Sequence, residues 1–123
     1  MANDFKRFVK KDIGTGEGAS GSTVYTVPAG AGSSALESIV IGITIANKST
    51  AGITCDVFID ALGGASDDVY IVKDASIPAG SSLEVMSGNK LVLQHSGSAG
   101  DVLKMTSSTA SAADGVVSVL EDV

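Results

Sequence analysis

The chain has no tryptophan, one cysteine, one histidine and two prolines among its 123 residues. Each scarcity excludes something. A lone Cys55 cannot close an internal disulfide. One His and one Cys cannot supply the ligands of a structural zinc site within one chain. With three Phe and two Tyr, the core must be aliphatic. Runs of Leu, Lys, Glu and Ala at helical spacing are missing, whereas Val and Ile are common and there are 15 Gly. That balance favours a β protein with many tight turns. The length suits one domain, able to bury roughly 65 % of its unfolded surface. The longest apolar stretch, IVIGITIA at 39–46, is too short to span a bilayer. MANDFKRFVKK has no apolar segment behind its basic residues, so it does not read as a secretory signal. A soluble chain made in the cytoplasm is expected.

What charge there is, is unevenly placed. Residues 1–12 hold Lys6, Arg7, Lys10 and Lys11 against Asp4 and Asp12, a net of +2, and the remainder carries −8 within a total of −6. An acidic body repels phosphate, which argues against direct nucleic-acid binding. A basic segment on an acidic body suits docking on an acidic partner or on another copy of the chain. Phe5, Phe8 and Val9 share one side at helical spacing, so residues 3–11 read either as a short helix capped by Asn3 or Asp4 or as an extended arm. GTGEGASGS at 14–22 reads as a flexible link. The division expected is an arm and linker over 1–22 and a β domain over 23–123.

From Thr23 onward the period is two. Strands are expected at Thr23–Val27, at IVIGITI with Ile39, Ile41, Ile43 and Ile45 on one face, and at ITCDVFID with Ile53, Cys55, Val57 and Ile59 inward. Phe58 breaks that alternation; it is either a contact residue on the outer face or turned inward by a bulge. Ala46–Ala51 joins these runs as a hairpin or arch. Further strands are expected at Val69–Lys73, Leu83–Met86 and Lys90–Gln94, then in DVLKMTS and in VVSVLE, with a tight turn at 87–89. Seven or eight short strands with turns every eight to twelve residues predict an all-β, antiparallel sandwich of jelly-roll type. Both prolines sit in PAG elements, TVPAG and SIPAG. These read as corners, with Pro second and Gly fourth in a type I turn.

No chemical motif stands up to its structural alternative. Gly16–Gly21 matches GxGxxG, but a charged segment precedes it and a strand follows, so no helix N-terminus faces a pyrophosphate. GNK at 88–90 lacks phosphate-loop spacing. Asp60, Asp67, Asp68 and Asp74 suggest adventitious calcium at most. His95 in HSGSAG has no nucleophile elbow and no orienting partner. Cys55 reads as a buried small hydrophobe. No catalytic residue, cofactor or metal is expected.

The order TVYTVPAG, SIVIGITIAN, VYIVKDASIPAGSSLEVMSGNKLVLQ and GDVLKMTSSTASAADGVVSVLE resembles small virion structural proteins of tailed phages, notably those of marine cyanobacterial hosts. The resemblance covers about residues 22–121, and IPAGSSLEV and GDVLKMTSS also look like modules of fibre and decoration proteins. It implies a non-enzymatic sandwich present in many copies on a virion. Capsid decoration leads, with a neck, tail or baseplate adaptor as the alternative and a carbohydrate-binding module as a third class. The contacts expected are Phe5, Lys6, Arg7, Phe8, Lys10 and Lys11, with Phe58 as a further surface contact. The partners expected are capsid or other virion proteins and further copies of the chain, as a trimer, with no membrane.

Overall fold

The computed structural model describes residues 3–17, 20–61, 68–86 and 90–122. The described residues form nine strands: β1 (Asn3–Lys10), β2 (Ser22–Thr26), β3 (Leu36–Asn47), β4 (Ile53–Asp60), β5 (Asp68–Ile77), β6 (Ser82–Glu84), β7 (Leu91–His95), β8 (Val102–Ser107) and β9 (Ala113–Asp122). They make two antiparallel sheets. The first runs β1-β9-β3, with β6 and β7 in tandem along the far edge of β3; the second runs β2-β8-β4-β5. The architecture is a β-sandwich, as the alternation predicts. The expected turn at 87–89 lies outside the described residues.

The core lies between the sheets. Leu36, Val40, Ile43, Ile45, Val117 and Val119 face it from the first sheet, and Val24, Cys55, Val57, Leu103 and Met105 face it from the second. Aliphatic side chains of this size suit two pleated faces about 10 Å apart. Gly115 leaves room for Met105, whose sulfur would lie 2.4 Å from a Cβ at that position.

Residues 3–10 form neither a helix nor an arm. β1 pairs antiparallel with β9 from Asn3↔Asp122 to Lys10↔Gly115, which makes it the outer strand of the first sheet. The apparent helical spacing divides into two strand faces. Phe8 turns in and stacks on Tyr25 at 4.6 Å between ring centroids, while Phe5 and Val9 turn out.

The alternation expected in β3 is also corrected. A bulge between Val40 and Gly42 in the pairing with β9 places one extra residue in the strand. Val40 and Ile43 are therefore both buried, three positions apart, and Ile41 is 41 % exposed. One unbroken ladder would have forced either Leu36 and Val40 or Ile43 and Ile45 out of the core.

Ala46–Ala51 is an arch, since β3 and β4 belong to different sheets. Asn47 holds it: its amide donates to the carbonyls of Ala51 and Ile77, and its carbonyl oxygen accepts from Ser49 N–H. At the second PAG element the hydrogen bond runs from Ser81 N–H to Pro78 O. Pro78 is thus first in the turn and Gly80, at φ +70°, is third. That is the left-handed position a type II turn gives to glycine, one residue out of step with the type I corner expected.

Candidate interaction faces

The described residues offer three places where chemistry or contact concentrates. The first is the outer face of the first sheet. Seven large apolar side chains are exposed among the described residues, and five of them lie here: Phe5 and Val9 on β1, Val116 on β9, Ile41 on β3 and Val92 on β7. The register aligns them. Phe5 pairs with Leu120, Leu120 with Ile39 and Ile39 with Val92, so one apolar row crosses four strands. Phe5 is 77 % exposed and Val92 is 54 % exposed. A second row runs Val9, Val116, Thr44, Glu84. Between them lies Arg7, Ser118, Gly42. A shallow groove of about 320 Å³ lies against Val9, Lys10, Lys11, Asp114, Gly115 and Val116. Monomeric proteins rarely leave so continuous an apolar face open to water.

The six residues expected to act together in an arm are therefore divided. Phe5 and Arg7 join the outer face. Lys11 stays exposed just past the end of β1, and Lys10 is half-buried on the side of the strand that carries Lys6 and Phe8. Phe8 belongs to the interior. Lys6 lies on the inner side of the strand, and its ammonium sits 2.9 Å from Oε1 of Glu121, whose side chain is 2 % exposed. The Glu121 carboxylate, through its hydrogen bond and its charge, holds the Lys6 pKa above the ordinary lysine value. Glu121 Oε2 accepts from Tyr25 O–H at 2.6 Å, and the same phenol is 2.6 Å from Ser38 Oγ. Burial, and then the bond to Glu121, push the Tyr25 pKa up. This buried network joins β1, β2, β3 and β9. The sequence signals it only as a single acid in VVSVLE at an inward position.

The second place is the outer face of the second sheet. Phe58 is on this face, opposite Lys104 across β4 and β8, but it is fully buried and so is no surface contact. Its ring lies 5.1 Å from that of Tyr70, outside the main core cluster. The pairing with β5 shifts register just before it, between Cys55 and Val57 and between Val57 and Phe58, yet it stays on the outer face beside Lys104 and Tyr70.

Near Phe58 is a cleft of about 160 Å³ lined by Thr15, Glu17, Thr54, Asp56, Asp74 and Thr106. Asp56, expected outward, is buried beneath it. Its carboxylate accepts from Asp74 N–H at 2.6 Å and from the Lys73 ammonium at 3.1 Å. Tyr70 O–H donates to Glu17 at 2.8 Å, and the Lys73 ammonium sits 5.2 Å from the Tyr70 ring centroid. The hydrogen bond to Asp56, and then burial, raise the Glu17 pKa, against the Tyr70 bond that lowers it. Burial alone would raise Asp56; the bonds from Glu17, Asp74 and Lys73 outweigh it and hold Asp56 low. A glycosidase keeps its two carboxyls about 5 Å or more apart, with the sugar between them. Here both carboxylates hold the one Lys73 ammonium, at 3.7 Å from Glu17 and 3.1 Å from Asp56, which staples the segment before β2 onto the sheet. Gly16 fits that role, because a Cβ there would strike Ser20 O at 2.4 Å. Gly18 and Ala19 lie outside the described residues.

The third place is the 95–100 loop. His95 Nδ1 accepts from Gly97 N–H at 2.8 Å, and a Cβ on Gly100 would lie 2.6 Å from the His95 ring. The imidazole braces its own loop. Cys55 is buried, and burial raises its thiol pKa. Of the acids considered for calcium, Asp60 and Asp68 pair at one end of β4–β5 and Asp74 lies near the other. Asp67 lies outside the described residues. Among the described residues, no three His, Cys, Asp or Glu side chains gather as metal ligands. Compared with protein-family profiles, curated proteins and solved structures, the chain gives no significant match.

Proposed function

We propose that this chain is a non-enzymatic structural protein of a phage virion, a decoration or cement protein that sits in many copies on the capsid. The observation that carries the reading is the outer face of the first sheet. It holds one apolar row of four residues, further exposed Ile and Val side chains, and Arg7, with Lys11 exposed just past the end of β1. Aromatics and Arg carry a large share of interface energy. The rest of the chain is acidic, which keeps the free protein soluble. Such a tile works by burying surface on neighbouring subunits, which draws the assembled particle away from disassembly by mass action. The segment resemblance supports the same reading.

A neck, tail or baseplate adaptor is the second reading, because the same face would serve it. Copy number separates the two. Quantitative mass spectrometry of purified particles is expected to give on the order of hundreds of copies for decoration, against about a dozen for a ring. Absence from purified particles would sink both. The carbohydrate reading has less support: Tyr25 is buried, and Tyr70, half-exposed, is held by Glu17 and Lys73.

A further inference from the structure

We infer that the outer face of the first sheet is covered by a second copy of the same chain, stacked face to face about a two-fold axis. The inference rests on reading that face as an assembly surface and is independent of where on a particle the protein sits.

The register supplies the argument. Take the axis parallel to the strands and midway between β9 and β3. It lays β9 of one copy over β3 of the other, and β1 over the β6/β7 edge. The row Phe5, Leu120, Ile39, Val92 then meets itself reversed. Phe5 seats on the partner's Val92, and Leu120 on the partner's Ile39. Ser118 faces the partner's Gly42, two small residues at the centre where the sheets come closest. An isologous interface needs this kind of self-complementarity.

One charge pair agrees. Arg7 lies on β1, at one edge of the sheet, and Glu84 lies on the opposite edge, on β6, in the neighbouring row. The same axis brings Arg7 of each copy over the edge that carries Glu84 of the other.

The area is sufficient. Four strands at about 4.8 Å spacing, paired over eight residues at about 3.4 Å each, give a flat footprint of about 500 Å² per copy. Side-chain relief adds to this, so the pair buries about 1,000 Å² or more, the lower bound for a specific interface.

The test is sedimentation equilibrium of the purified chain at about 0.15 M salt, where screening limits repulsion between the acidic bodies, over about 1–100 µM. A dimer is expected. Val92→Glu and Phe5→Glu, both at exposed positions, should raise its dissociation constant by about thirtyfold or more with unchanged circular dichroism and melting. Arg7→Glu should weaken the dimer, and adding Glu84→Arg in the same chain should restore it. A trimer, or a dimer indifferent to V92E and F5E, overturns the two-fold arrangement. A wild type that stays monomeric also overturns it. If that monomer binds purified particles and V92E abolishes the binding, the face remains an assembly surface and only its occupant was wrong. If V92E leaves particle binding unchanged, both readings fall.

Discussion

The ammonium of Lys6 and the buried carboxylate of Glu121 stand 2.9 Å apart, joining residues 115 positions distant in sequence across the β1–β9 pair. A segment with the composition of a solvated tail is thereby part of the fold. Removing residues 1–12 takes away a whole strand, the Phe8 ring on Tyr25 and the cation beside Glu121. The truncated chain should melt well below the full chain and bind a hydrophobic dye. A truncated chain with an unchanged melting temperature would show that β1 adds nothing to stability.

Tyr25 is the other partner of Glu121, and Tyr25→Phe isolates its contribution. The ring stays, but Glu121 and Ser38 each lose a hydrogen bond in a buried place. A loss of about 1–3 kcal/mol in urea denaturation is expected, with the slope unchanged.

Phe58 lies outside the core cluster and yet is buried, so Phe58→Ala should cost about 3 kcal/mol, as for a core aromatic. Chemical denaturation reads this directly. A cost below about 0.5 kcal/mol, typical of a surface site, would contradict the burial described here.

Glu17 and Asp56 give stability a pH dependence of known sign. The Glu17 pKa is raised from 4.5, so above that value the folded chain binds more protons than the unfolded one, and stability falls as pH rises through the window. Asp56 and Asp114 are lowered from 3.8, Asp114 chiefly by Asp12 N–H and Lys48. For these the folded chain binds fewer protons, so the stability they contribute is present above that value and is lost as pH falls. Denaturation midpoints from about pH 2.5 to 7 should therefore rise and then decline. Glu17→Gln should remove the decline and leave the acid limb.

Gly80 at φ +70° tests the corner after β5. Gly80→Val should lose about 1–2 kcal/mol and Gly80→Asn distinctly less, because Asn tolerates the left-handed region. Thermal melts of the two variants give the order. Equal melting temperatures would remove the turn assignment.

Eight of the nine strands were legible, because alternation, β-branched residues and glycine-rich turns all point the same way there. β1 was not. Phe5, Phe8 and Val9 satisfy both a helical and an extended reading, and what decides between them is β9, more than a hundred residues away. Alternation puts Ile41 on one face with Ile39, Ile43 and Ile45, because it cannot register a bulge. Period two puts Asp56 and Phe58 on the outer face, but it predicts only which face a residue takes, not whether that face is covered. Here a strand neighbour and the returning 14–17 segment cover it. The apolar outer face was hidden for the same reason: it exists only once four strands from three parts of the chain lie in register.

The bulge in β3 has an evolutionary consequence. Residues on either side of it already face the right way, so losing the single codon for Ile41 would leave Val40 and Ile43 inside and restore an unbroken ladder. The core would be untouched, and the outer face would lose an exposed isoleucine from its centre. Natural variation in chain length at this position can therefore tune how strongly the surface adheres while fold stability is preserved, a route that point substitutions do not sample.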